Sequence, residues 1–112
     1  MVAKDSLRST FLNPQMKGFD GVAKDFDREK GRGLSMLYRT IRNEKSHTPH
    51  AERKTLDKLQ LLYPCEIVFF SKNNEERLGV NSEEDFLNTL REGPSQELQN
   101  EGYQLTINER KE

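Results

Sequence analysis

Residues 19–43 read Phe19-Asp20-Gly21-Val22-Ala23-Lys24-Asp25-Phe26-Asp27-Arg28-Glu29-Lys30-Gly31-Arg32-Gly33-Leu34-Ser35-Met36-Leu37-Tyr38-Arg39-Thr40-Ile41-Arg42-Asn43. Phe19, Val22, Ala23 and Phe26 fall at helical spacing and predict a short amphipathic helix over 19–26. Lys30-Gly31-Arg32-Gly33 follows, and its two glycines admit positive φ, so a tight turn is expected there. A second helix is expected over 34–43. It carries Leu34, Leu37 and Ile41 on one face and Ser35, Tyr38, Arg39, Arg42 and Asn43 on the others.

Outward from this stretch, residues 1–17 are polar and broken by Asn13-Pro14, which predicts a flexible arm. Residues 44–51 form a polar loop with Pro49, and a third helix is expected over 51–62 with Leu56, Leu59 and Leu62 inward. Tyr63-Pro64 ends it, because proline cannot continue a helix. Composition then changes. Cys65-Glu66-Ile67-Val68-Phe69-Phe70 is β-branched and aromatic, hence a strand, and 77–80 reads as its hairpin partner. Ser82 begins a helix over 82–92, with acids in the first turn where the dipole favours them. Gly93-Pro94 ends it. Tyr103, Leu105 and Ile107 alternate with polar residues as a half-buried strand.

The expected fold class is therefore α+β. An N-terminal helical bundle is followed by a small antiparallel sheet with one helix. Residues 18–112 make one domain, divided into a helical part (18–63) and an α+β part (64–112) that braces the helices or dimerises. Exposed strand edges in the second part offer a homodimer surface. Deleting residues 100–112 is then expected to leave a folded monomer.

Charge divides unevenly along the chain. Residues 1–60 hold 13 Lys/Arg against 8 Asp/Glu, and residues 61–112 hold 5 against 11, for a net charge of −1. A basic half and an acidic half point to two faces with different partners, although charge runs also serve simply as solvated surface. No apolar run is long enough to span a membrane. The N-terminal residues have no apolar core of a secretory signal, and the single Cys65 forms no internal disulfide, which fits the reducing cytoplasm.

A helix, a turn and a second helix with an apolar inner stripe and a basic outer face is the layout of a DNA-reading helix-turn-helix. Arginine pairs two hydrogen bonds with guanine, asparagine does the same with adenine, and short hydroxyls bond phosphate. Val22-Ala23-Lys24-Asp25-Phe26 and Leu34 to Lys45 thus resemble the two motif helices of Cro/C1-type regulators, including small phage and antitoxin-like repressors. Lys54-Thr55-Leu56-Asp57-Lys58-Leu59 is similar to the helix that closes that bundle. The resemblance covers residues 19–63. It implies a dimeric, sequence-specific regulator of transcription bound to double-stranded DNA, with Ser35, Tyr38, Arg39 and Arg42 on the DNA. Asn43 joins them by its chemistry, and Lys45, Arg53 and Lys54 flank the helix as phosphate contacts. The turn from Asp27 to Gly33 is longer than that family's. Two other classes stay open: a protein-interaction module of the phage inhibitor or adaptor kind, using the basic helix and a sheet edge, and an RNA-binding protein with Tyr38 stacked on a base.

Enzymatic chemistry has little support. His47 and His50 with Cys65 lack the paired spacing and fourth ligand of a zinc site. Cys65 begins an apolar strand, where cysteine behaves as a small hydrophobe. Gly31-Arg32-Gly33 is not a phosphate loop. No catalytic residue, metal, cofactor or small-molecule substrate is expected.

Overall fold

A computed structural model describes residues 18–43 and 49–109. The elements run β1 (Phe19–Val22), α1 (Arg28–Asn43), α2 (Pro49–Leu59), β2 (Cys65–Phe70), β3 (Glu75–Val80), α3 (Glu83–Glu92), α4 (Gln96–Glu101) and β4 (Tyr103–Glu109). The chain is α+β as expected, but a strand precedes the helices and the sheet is mixed. Its order is β1-β4-β2-β3, with β1 parallel to β4 and the other pairs antiparallel.

The segment expected as the first helix is β1. Phe19 sits opposite Tyr103 and Val22 opposite Leu105, so two residues of β1, Asp20 and Gly21, stand against the single Gln104 of β4. Such a bulge inserts an extra residue and lets positions three apart serve the same face. That spacing imitates a helix in sequence. Gly21 has φ +106°, outside any helix, and Ala23 N–H continues the pairing to the Leu105 carbonyl at 2.8 Å.

The expected glycine turn is also absent, because α1 is one helix of sixteen residues. Asp27 starts it, accepting from Lys30 N–H at 3.0 Å. Gly31 and Gly33 supply room instead of positive φ. A Cβ on Gly31 would lie 3.5 Å from Val22 and Phe26, and one on Gly33 would lie 3.5 Å from Thr55 of α2. Pro49 occupies the first position of α2, where its missing N–H costs nothing. That helix ends at Leu59, before left-handed Gln60, so Leu62 is exposed and not inward.

The second half follows the sequence closely. Asp85 N–H donates to Ser82 Oγ at 3.2 Å at the start of α3, and Gly93 closes that helix. The short helix α4, capped by Ser95, adds to the expected elements. Leu34, Leu37, Ile41, Leu56, Leu59, Ile67, Phe69, Phe86 and Leu105 share one core. The helices supply their part of it from one side of the sheet, where Cys65, Ile67 and Phe69 point.

Strand β4 lies inside the sheet, bonded to β1 and β2, and so offers no free edge. The edge left in the C-terminal half is β3. Among the described residues no helix is long and apolar enough to cross a membrane.

Candidate interaction surface

Helix α1 carries the candidate surface, and its rotation decides which side chains reach it. Leu34, Leu37, Tyr38, Ile41 and Arg42 are all buried. Tyr38 and Arg42 continue the Leu34 row by steps of four, so they belong to the inner stripe despite their polar ends. The pattern of polar residues predicts both on the outer side; the structure turns both inward.

Tyr38 is fully buried, and its hydroxyl meets that of Tyr103 at 2.8 Å. Its ring packs edge-on to Phe19 at 4.7 Å. Burial first, and the Tyr103 hydroxyl second, push its pKa well above the ordinary tyrosine range. Arg42 donates from Nη1 to the Arg91 carbonyl at the end of α3, and its Cζ lies 5.9 Å from the Tyr38 ring. A cation suits that position, where helix carbonyls lack partners.

Arg39 does face solvent. Its guanidinium lies 5.1 Å over the Phe19 ring, and Nε donates to Ser35 Oγ at 3.4 Å. Ser35 is half-buried beside it. Asn43 closes α1, but its side chain, like all of Lys45 and His47, falls outside the described residues. Arg53 is exposed but committed: Nη1 and Nη2 grip both Glu83 oxygens at 2.8 and 2.9 Å, and Asp57 lies 3.1 Å away. That pairing ties α2 to α3 and holds the Glu83 carboxyl below the usual range. Lys54 is exposed on α2.

The structure brings other cations to Arg39. Arg28 and Arg32 are exposed one turn apart on α1, in the row that continues to Met36, which is 69% exposed. Lys24, Arg28, Arg32 and Ser35 border a shallow depression floored by Val22, Ala23, Phe26 and Gly31. Arg28 and Arg32 form no ion pair among the described residues. The four-residue spacing is visible in sequence, but assigning 30–33 to a turn breaks the row.

These cations stand against local helix electrostatics. The N-terminal end of a helix is its positive end and favours acids. Asp27 and Glu29 partly offset Arg28, Lys30 and Arg32 there. A basic first two turns therefore does little for the helix itself.

Among the described residues no three His, Cys, Asp or Glu side chains gather as a metal site. Cys65 is buried, and burial raises its thiol pKa, so it is held as the unreactive thiol. Compared with known proteins, the chain matches no family model, no curated protein and no solved structure.

Proposed function

We propose that this chain is a non-enzymatic protein-interaction module whose basic α1 surface docks an acidic patch on a partner protein. The observation that carries this reading is the exposed row Arg28, Arg32 and Arg39 with Met36 among them, its two N-terminal arginines unpaired among the described residues. Cations beside an exposed apolar side chain suit a protein surface, where burial of Met36 adds to charge pairing. The rest of the fold favours a compact partner over a long polyanion. Residues 61–112 carry the acidic excess, and their field would repel a polyanion reaching beyond α1.

Duplex DNA is the second reading, supported by the outward arginines and by Lys54 on the neighbouring helix. It would rest on phosphate contacts, because Tyr38 and Arg42 are occupied inside the fold.

Binding of an oligoglutamate peptide, a short DNA duplex and a single-stranded RNA, each titrated at two salt concentrations, separates these readings. The peptide should bind, and Arg28→Glu/Arg32→Glu should weaken it by about tenfold or more, which is about 1.4 kcal/mol. Peptide binding that is absent, or unchanged in the variant, overturns the proposal. A salt slope of about −0.9 for each of several phosphates would put DNA in its place.

A further inference from the structure

If α1 docks an acidic protein surface, as the interaction-module reading has it, the chemistry of that surface can be specified further. We infer that the partner is a second copy of this chain, which presents the outer face of α3 to the α1 row; the inference rests on that reading. Glu84, Asn88 and Glu92 are exposed at four-residue steps along α3, while Phe86 and Leu90 face the core. Neither Glu84 nor Glu92 is in an ion pair among the described residues. Arg91, the one cation of α3, lies beside this row and is turned onto Asn88 Oδ1 at 2.8 Å.

Glu92 is the informative member. It sits in the last turn of α3, where the helix dipole disfavours an acid. Arg28 and Arg32 are the converse, cations at a positive helix end. Each helix thus displays charge that its own fold does not require, and the two signs are opposite. Glu84 alone would mean little, since an acid in a first turn stabilises the helix that holds it.

The two rows are not paired within one chain. α1 and α3 pack against each other, with Arg42 on the Arg91 carbonyl, but no ion pair among the described residues joins Arg28 or Arg32 to Glu84 or Glu92. A contact between unlike surfaces is heterologous. Unless its rotation closes a ring, it adds copies head to tail into an open chain. Arg28 and Arg32 of one copy then face Glu84 and Glu92 of the next, with Met36 covered between them.

Sedimentation of the full chain across a concentration series provides the test, with two charge-reversal variants, Arg28→Glu/Arg32→Glu and Glu84→Arg/Glu92→Arg. All four positions are exposed, and circular dichroism checks that each variant folds. In low salt the wild-type mass should rise steadily with concentration and return to the monomer in about 1 M salt, where screening acts within about 3 Å. Each variant alone should stay monomeric. Mixed, the two variants are complementary at both contacts, since their reversed rows also carry opposite charge, so growth with concentration should return.

A wild-type chain that stays monomeric throughout overturns this inference, as does a mixture of the two variants that stays monomeric. Growth that survives in either variant alone also overturns it, because the contact would then lie elsewhere. If the wild type is monomeric yet its peptide binding still depends on Arg28 and Arg32, only the self-recognition fails. If peptide binding is missing as well, the interaction-module reading fails with it.

Discussion

The hydroxyls of Tyr38 and Tyr103 meet at 2.8 Å inside the core and tie the middle of α1 to the first residue of β4. Sixty-five positions apart in sequence, the two side chains satisfy each other where water does not reach. Phe19 and Phe69 complete the cluster, with Phe69 5.9 Å from the Tyr103 ring. This buried hydrogen bond adds to the apolar stripe of Leu34, Leu37 and Ile41 in setting which face of α1 is inward, and so which arginines face out.

Tyr38→Phe should cost about 1–3 kcal/mol, because it leaves the Tyr103 hydroxyl buried without its partner. Tyr38→Phe/Tyr103→Phe should be less damaging than the sum of the two single changes, since both polar groups leave together. Urea denaturation of the three variants measures this. Strict additivity would mean the hydroxyls do not depend on each other.

Arg42 and Gly93 form a second coupled pair. A Cβ on Gly93 would stand 2.8 Å from Arg42 Cζ, and Gly93 has φ +71° and ψ −172°, a conformation kept almost wholly for glycine. Gly93→Ala should therefore destabilise the chain by about 1–3 kcal/mol through backbone strain alone. Displacing the guanidinium from the α3 carbonyl should add to that. Arg42→Met keeps much of the apolar stem but removes the donor, and should cost about 1–3 kcal/mol. Thermal melts that show either variant as stable as the parent would contradict the buried role given to Arg42.

Much of the second half of this fold is legible in sequence, and much of 19–33 is not. Ile67 and Phe69 announce a strand by residue type, and Ser82 announces a helix by capping chemistry that its side chain carries out. Phe19 and Val22 mislead because a bulge gives a strand the spacing of a helix. Gly31 and Gly33 mislead because close packing demands small residues as readily as a turn does. Tyr38 and Arg42 mislead for a third reason: their polar ends find partners supplied by β4 and α3, which no local pattern reveals. The basic row is countable in advance, but its exposure depends on that rotation. α4 spans only six residues, too few for periodicity to declare it.

Alkaline pH should expose the tyrosine arrangement. The chain has three tyrosines. Burial raises the pKa of Tyr38 and Tyr103, and pushes Tyr63 up to about 12. Each is held neutral in the folded chain above the ordinary value of about 10 at which the unfolded chain ionises. Their contribution to stability is intact below about pH 10 and is lost as pH rises through the folded values. Tyrosinate absorbance should therefore lag behind that of free tyrosine and then rise together with loss of the folded circular dichroism signal. Ordinary titration of all three near pH 10 in a folded chain would contradict their burial.

Arg53 offers a control for the charged surfaces. It is exposed and holds Glu83 and Asp57 without touching the α1 row. Exposed ion pairs contribute little to stability, so Arg53→Ala should leave the denaturation midpoint nearly unchanged. It should also leave oligoglutamate binding nearly unchanged, whereas Arg28→Glu/Arg32→Glu should not. An equal loss in both would mean that binding follows total charge and not the α1 row.

Truncation at the C-terminus tests the topology most directly. Strand β4 is bonded on both sides, and Tyr103, Leu105 and Ile107 face the core. Removing residues 103–112 would expose one edge each of β1 and β2 and remove three buried side chains. It would also strip Tyr38 of its hydroxyl partner. The loss of Leu105 or Ile107 alone is of the size of a large-to-small core change, about 2–5 kcal/mol, and whole domains are stable by about 5–15 kcal/mol. The truncated chain should therefore show no cooperative unfolding transition by circular dichroism. A dispensable terminal strand would leave that transition in place at a lower midpoint, and such a result would contradict the central position of β4.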